Sequence, residues 1–178
     1  MVALVTALVV AATPGPRTFE LREGALAYTV VHKLHEVKGT THAVEGKALV
    51  AADGSARVQV RAKVASFDSG NSNRDVHVRE VTHEAEHPYA TVKGTLAGLV
   101  LPLAGPAQVV LHAIVELNGQ KQAAEIPLQL LPDGPRIGVK LSFSVSLEAF
   151  HIERPELLFV KVDDKLVFDG DLVFAELQ

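Results

Sequence analysis

Residues 137–147 read IGVKLSFSVSL, and this stretch decides the class of fold. Apolar side chains alternate along it with small or polar ones. Successive side chains of an extended chain point to opposite faces of a sheet, so the stretch predicts a strand with one buried face. Residues 56–64, ARVQVRAKV, repeat the pattern with polar and charged residues on the other face. The dominant period of the sequence is therefore two, which is typical of antiparallel β-structure.

A tight hairpin is predicted at Asn118-Gly119, because this dipeptide readily adopts positive φ. Residues 109–117 lead into it and residues 121–131 form the expected returning strand. Pro127 in that strand is tolerated only at an edge or a bulge, since it has no backbone N–H. Further strands are expected at Leu26–Val31, Val44–Ala51, Ala90–Leu101 and Lys165–Phe174. Evenly spaced strands separated by glycine-containing turns predict an antiparallel sandwich or barrel.

One stretch departs from the period of two. Residues 73–85 carry scattered apolar side chains with charged residues between them, and Ser72 or Asn73 is suited to cap a helix start. We expect a short helix there, lying over one end or side of the barrel. A second helical turn is predicted at Pro155–Phe159. The predicted fold class is all-β with one or two short helices.

Composition excludes several classes of function. The chain has 178 residues, of which 48% are hydrophobic, so one domain with a sizeable core is expected. The net charge is −4 and the basic residues are scattered, which argues against a nucleic-acid partner because phosphate binding requires a basic surface. There is no cysteine, which excludes structural disulfides and thiolate chemistry.

The first residues predict export. Val2–Ala12 is an apolar run ending in small residues, and it is shorter than the roughly 20 residues that span a bilayer. It matches the apolar core of a secretory signal, although no Lys or Arg precedes it, and a first strand is the alternative. We therefore expect a signal peptide at 1–12, a short tail at 13–18 and the β-domain at 19–176. The expected location is periplasmic or secreted.

A metal site is the main catalytic alternative. Residues 83–87 read HEAEH and match H-E-x-x-H, in which two histidines on one helix bind zinc beside a general base. The pattern requires a continuous helix, and Pro88 disfavours helical geometry at His87. Solvated surface histidines are the simpler interpretation. A metal-dependent hydrolase using His83, Glu84 and His87 is nevertheless kept as an alternative function.

Small residues on the apolar faces leave the state of the interior open. A barrel lined by small and branched side chains has room for an apolar ligand, but small side chains also pack tightly in a filled barrel. Composition alone does not decide between these two outcomes. The residues concerned are Ala25, Ala27, Ala56, Ala62, Ala97 and Ala113.

The polar segment Ser66–Arg79, SFDSGNSNRDVHVR, is the most distinctive part of the chain. Its Asp, Ser and Asn side chains either hold the loop by local hydrogen bonds or contact a ligand. The segment resembles the signature loop and helix of the YceI-like family, S-x-D-T-G-N-x-x-R-D-x-H-L-R, at Phe67–Asn71, Arg74-Asp75, His77 and Arg79. Residues 28–39 and 87–94 resemble the flanking segments of that family. Ser69 and Val78 replace its usual Thr and Leu.

The resemblance implies an extended, lipocalin-like antiparallel β-barrel, exported and usually periplasmic, that binds a polyisoprenoid or similar long lipid. The implied function is non-enzymatic binding, storage or transport, with an isoprenoid quinone as one ligand and no cofactor besides the lipid. No nucleic acid and no stable membrane insertion are expected, while a homodimer and a ligand-free structural or stress-related accessory barrel remain alternatives. The candidate ligand-contacting residues are Tyr28, Phe67, Asn71, Arg74, Asp75, His77, Leu141 and Phe143.

Overall fold

The computed structural model describes residues 15–32, 35–154, 156–157 and 160–177. One helix, α1 (Ser72–Val81), and two 3₁₀ turns, Val64–Ser66 and Glu148–Phe150, interrupt a series of strands. The strands are β1 (Arg17–His32), β2 (His35–Thr41), β3 (Val44–Val50), β4 (Ala56–Lys63), β5 (Tyr89–Leu96), β6 (Ala107–Leu117), β7 (Gln120–Asp133), β8 (Arg136–Ser146), β9 (Glu156–Leu157), β10 (Val160–Lys161) and β11 (Lys165–Glu176).

Antiparallel pairing closes the main sheet into a barrel. The strand order is β11-β8-β7-β6-β5-β4-β3-β1, and β11 also pairs with β1. The strand β2 lies on the same edge of β1 as β3, because β3 pairs with residues 17–20 and β2 with residues 26–32. The described strands thus form an eight-stranded antiparallel closed barrel. The all-β barrel predicted from the period of two is confirmed.

The inward faces of the strands build the interior. Along β6, every second residue from Leu111 to Leu117 is buried, and the residues that alternate with them are exposed or half-buried. On β4, Ala56 and Ala62 are buried as the alternation predicts, but Val58 and Val60 between them are only half-buried. Both valines face an internal cavity, which accounts for their exposed surface. The barrel is therefore incompletely filled by its own side chains.

The predicted hairpin is observed. Asn118 and Gly119 take φ values of 50° and 69°, and Leu117 and Gln120 are Cα partners on either side of them. A two-residue loop with both φ values positive matches the right-handed twist of the strands. Pro127 lies next to the point where pairing of β7 with β8 stops, because that ladder covers only residues 128–133 of β7. The edge position expected for the proline is thus found.

The helix is shorter than predicted. Asn71 caps α1 by accepting a hydrogen bond from the N–H of Arg74 (3.1 Å). The helix ends at Val81 rather than Ala85. Two local features end it: Oγ1 of Thr82 donates to the carbonyl of Val78 (2.7 Å), and His83 takes a φ of 47°.

Two other boundaries also differ from the predictions. The strand expected to reach Leu101 ends at Leu96, because the N–H of Leu99 donates to the carbonyl of Gly54 (2.9 Å) and turns the chain across the barrel end. The helical turn predicted at Pro155–Phe159 is wrong for its described residues. Glu156–Leu157 is a strand that pairs with β10.

The predicted signal peptide, residues 1–12, lies outside the described residues. The first strand begins at Arg17, two residues before the expected start of the β-domain. In the described part of the chain, no helix is long and apolar enough to cross a membrane.

Candidate ligand-binding cavity

The barrel encloses an inner chamber with a volume of about 130 Å³. Inward-facing residues from strands all around the barrel line it. Among the described residues that line it, only Thr91 carries a polar side chain. A chamber with such walls binds apolar groups, because nothing in it compensates a buried polar group for lost hydrogen bonds with water.

An outer chamber of about 320 Å³ lies under helix α1. Val78 and Val81 of the helix form one wall, which explains why a short helix covers this end of the barrel. Its lining also includes Arg74, His77 and Glu153. These three residues are titratable, and none of the described residues that line the inner chamber is, whereas the rest of the outer wall is almost wholly apolar.

The two chambers share part of their walls. Phe67, Ala90, Leu117 and Phe168 line both of them. The two chambers meet at these four side chains, and this boundary is called the constriction below. The barrel interior is therefore a two-chamber tunnel.

The volume of the inner chamber limits what it holds. Its 130 Å³ is close to the roughly 150 Å³ of an engineered apolar cavity that binds benzene. It therefore accommodates a ring-sized or short branched segment. A long chain has to extend through the constriction into the outer chamber, or has to move side chains of the wall.

The signature loop is held by its own hydrogen bonds. The hydroxyl of Ser69 donates to Oδ1 of Asp75 (2.5 Å) and accepts from Nε of Arg74 (2.9 Å). Nη2 of Arg74 also donates to the carbonyl of Ser69 (2.6 Å). Reciprocal backbone hydrogen bonds between Thr40 and Asp68, both 2.9 Å, fasten the loop to β2. The loop thus fixes α1 over the end of the barrel.

Tyr28 lies buried between this loop and the tunnel. Its ring contacts that of Phe67, with centroids 5.5 Å apart, and its hydroxyl has no hydrogen-bond partner among the described residues. Burial raises the pKa of Tyr28, and the negative charge of Asp75 raises it further, while the positive charge of Arg74 acts in the opposite direction. The phenol therefore stays neutral at physiological pH.

The structure places the predicted site residues in three groups. Leu141 and Phe143 line the inner chamber, and Phe67 lines both chambers. Tyr28, Arg74 and His77 line the outer chamber only. Asn71 and Asp75 line neither chamber, and they instead cap α1 and bind Ser69. Their role as ligand contacts stays a prediction.

Sequence reasoning did not single out most of the tunnel lining. Ile137 and Val139 share the inward face of β8 with Leu141 and Phe143, so the same alternation was sufficient to find them. Residues from distant segments required the pairing of strands that the sequence does not display. They include Phe19, Leu99, Leu172 and Phe174 of the inner chamber and Val37, Glu153 and Val162 of the outer one.

The HEAEH segment does not lie on one helix. Helix α1 ends before it, His83 takes a φ of 47°, and Nδ1 of His83 donates to Oδ1 of Asn118 (2.8 Å). Within the described residues, no group of three or more His, Cys, Asp or Glu side chains is arranged to hold a metal ion. The helical geometry required by the hydrolase alternative is therefore not found.

The profile of the YceI-like domain matches residues 18–174. The chain belongs to the YceI-like family. The matched range includes the signature loop, α1 and nearly the whole barrel. No curated protein matches the sequence.

Solved structures share the YceI-like fold at low sequence identity. A polyisoprenoid-binding domain from Saccharophagus degradans, implicated in plant cell wall breakdown, has a TM-score of 0.72 at 17% identity, over 89% of this chain and 98% of that domain. Burkholderia cenocepacia BcnA has a TM-score of 0.70 at 16% identity, over 84% and 95%. The YCEI protein of Campylobacter jejuni has a TM-score of 0.54 at 13% identity, over 99% and 91%. At these identities the likeness establishes the fold.

Proposed function

We propose that this protein binds a long apolar lipid of the polyisoprenoid class inside its barrel and acts as a non-enzymatic carrier or store. The observation that carries the proposal is the two-chamber tunnel, whose inner chamber is almost wholly apolar. A similar fold in a domain described as polyisoprenoid-binding supports it. Isoprenoid quinones are the ligands we expect first, because they combine a prenyl tail with a compact polar ring.

The tunnel gives the lipid a direction. The far end of the apolar tail occupies the inner chamber, the rest of the tail extends into the outer chamber, and the polar end lies near Arg74, His77 and Glu153. The opposite orientation would bury a polar group against walls that are almost wholly apolar and offer it no hydrogen bond in exchange for those it makes with water.

Burial of the tail supplies the binding energy. Each buried methylene contributes about 0.8 kcal/mol, so about fifteen give on the order of 12 kcal/mol. Association costs an estimated 4–15 kcal/mol, so the gain exceeds the cost only when the site is largely formed beforehand. The hydrogen-bonded loop and the closed barrel provide that preorganisation.

Binding of this kind requires no reacting group. In the signature loop, Arg74 and Asp75 are both hydrogen-bonded to Ser69, which is a structural arrangement. A carrier function is also consistent with a location in the periplasm or outside the cell, where the apolar run Val2–Ala12 would direct the chain. We include that location in the proposal.

A tail-length series tests the proposal. Delipidated protein is titrated with ubiquinones of increasing isoprene number, and binding is measured by native mass spectrometry and fluorescence. We expect affinity to rise at least about tenfold for each isoprene unit that becomes buried, until the tunnel is full. An affinity independent of tail length, or no binding at any length, would overturn the proposal and favour a ligand-free accessory barrel.

A further inference from the structure

The barrel wall is only partly paired between β7 and β8. Their ladder joins residues 128–133 of β7 to residues 136–141 of β8. Both strands continue beyond it, since β7 stays paired with β6 from residue 120 and β8 stays paired with β11 up to residue 146. The remaining parts of the two strands, residues 120–127 of β7 and 142–146 of β8, therefore border a seam without ladder hydrogen bonds. Pro127, which has no N–H to donate, stands where the ladder stops.

The seam is thin. A surface groove of about 450 Å³ follows it between β7 and β8. Val115 and Phe143 line both this groove and the inner chamber. Only one layer of side chains thus separates the chamber from the outside along the seam.

The turn Glu148–Phe150, called the 148–150 turn below, follows β8 and closes the end of the seam next to Ser146. Phe150 is 1% exposed, and Leu147 before the turn is also buried. On the β11 side the turn is firmly anchored, because Oδ1 of Asp164 accepts from the N–H of Glu148 (2.8 Å) and the carbonyl of Asp164 accepts from Leu147 (2.8 Å).

On the β7 side, two side chains hold the 148–150 turn. Nδ2 of Asn118 donates to the carbonyls of Phe150 (3.0 Å) and His151 (3.2 Å). Nε2 of Gln122 donates to the carbonyl of Ala149 (3.0 Å). The turn is thus attached to β8 and β11 through the backbone, and to β6 and β7 through these side-chain hydrogen bonds.

Three residues with positive φ meet at the same contact. His83, Asn118 and His151 are the non-glycine residues with positive φ in the described part of the chain, at 47°, 50° and 53°. A hydrogen bond of 2.8 Å from His83 to Asn118 and one of 3.2 Å from Asn118 to His151 connect all three. For the two histidines this left-handed conformation is uncommon, and residues in such conformations cluster at switch regions and ligand clamps.

We propose that the seam between β7 and β8 is the side opening through which the lipid chain enters and leaves the barrel, closed by the 148–150 turn with Phe150. The turn moves with β8 and separates from Asn118 and Gln122. Through this opening a long chain reaches the inner chamber from the side, without passing between Phe67 and Phe168 at the constriction. The inference rests on the proposed binding of a prenyl lipid.

Cross-linking across the seam tests the opening. The chain has no cysteine, so a Gln122→Cys, Ala149→Cys protein carries a single pair, which a short bismaleimide joins after loading with a ubiquinone. We expect release to acceptor vesicles to slow about tenfold or more, as for enzymes whose lids are held closed. The control pair Ser142→Cys, Asp169→Cys joins Cα partners in the paired β8–β11 seam and leaves the rate unchanged.

If lipid release from the protein cross-linked between positions 122 and 149 is unchanged, the seam is not the route, and the end of the barrel under α1 is the alternative. Wild-type protein that takes up no prenyl lipid overturns the proposed function itself, so the two failures are distinguished before any cross-link is made.

A second variant decides the question if the cross-link does not form. Asn118→Gly removes the hydrogen bonds to the carbonyls of Phe150 and His151, together with the one from His83, while glycine accepts a φ of 50° without strain. We expect release to accelerate about fivefold or more. Ser55→Ala, which removes a hydrogen bond from a turn at the opposite end of the barrel, is the control and leaves the rate unchanged. An Asn118→Gly rate equal to wild type contradicts the inference.

Discussion

Gly39 and Tyr28 are Cα partners across β2 and β1, and the tyrosine ring lies over the glycine. A Cβ at position 39 would lie 2.8 Å from the hydroxyl oxygen of Tyr28 and closer still to its ring. Covering a strand glycine with an aromatic ring of the neighbouring strand is a recognised way to stabilise a sheet. Here it also sets the position of Phe67, which contacts the Tyr28 ring and lines both chambers.

Gly39→Ala should therefore displace the Tyr28 ring. We expect it to lower the free energy of unfolding by about 1–3 kcal/mol, as overpacking of a core does. Urea denaturation measures the change. Gly138→Ala is the matched control, because a Cβ there has its nearest neighbour at 3.5 Å and is accommodated. Equal stability of the two variants would show that Gly39 is not required beneath the ring.

Asp75 distinguishes a structural loop from a ligand-binding one. Its Oδ1 accepts from the N–H of Ser69 (3.1 Å) and from the hydroxyl of Ser69 (2.5 Å), and it lines neither chamber. We expect Asp75→Ala to lower the free energy of unfolding by about 1–2 kcal/mol, because it removes two partly exposed hydrogen bonds to a carboxylate. Lipid affinity of the folded Asp75→Ala protein should be unchanged. In the control Glu86→Ala, which removes an exposed carboxylate from the turn after α1, both the stability and the lipid affinity should equal those of wild type. Loss of affinity at unchanged stability would instead make Asp75 a ligand contact.

The ion pair Arg17–Glu176 joins the first and last strands of the barrel, with nitrogen–oxygen distances of 2.7 and 2.6 Å. The hydrogen bond from Arg17 lowers the pKa of Glu176 below its ordinary value of 4.5, against a smaller opposing effect of burial. A carboxyl whose pKa is lower in the folded protein than in the unfolded chain stabilises the folded state at pH values above its pKa in the unfolded chain. This contribution is lost as the pH falls through its pKa in the folded protein.

Glu176→Gln should therefore be less stable than wild type at neutral pH, and the difference should shrink as the pH falls below 4.5. Urea denaturation at a series of pH values measures it. Glu86→Gln, at an exposed position, serves as the control for removing a carboxylate. A Glu176→Gln protein with the full acid sensitivity of wild type would mean that this pair contributes nothing to closing the barrel.

Most of the strands were predictable from local patterns, because the alternation of apolar and polar residues along a strand depends only on which face of that strand is buried. The alternation in residues 137–147 becomes β8, and Asn118-Gly119 becomes a hairpin turn. The position of Pro127 was also predictable, since a missing N–H restricts it wherever it occurs.

Long-range pairing determined what the sequence did not predict. The HEAEH segment begins after helix α1 has ended, and the side chain of His83 binds Asn118, thirty-five residues away. The tunnel depends on strand number, tilt and register, which set the width of a barrel relative to the side chains that fill it. The unpaired seam likewise depends on where the β7–β8 ladder stops. None of these relationships is visible in a single strand.

Blocking the constriction tests lipid binding in the barrel most directly. Ala90 lines both chambers, so Ala90→Phe fills the passage between them, whereas Ala52→Phe adds the same ring to an exposed position in the turn between β3 and β4. The amount of prenyl lipid bound per chain is measured by native mass spectrometry after exposure to a long-tailed ubiquinone, with circular dichroism to verify folding. We predict one lipid per chain for wild type and Ala52→Phe, and at least about tenfold weaker binding for folded Ala90→Phe. Wild-type protein without bound lipid, or equal binding by Ala90→Phe, would contradict a lipid site inside the barrel.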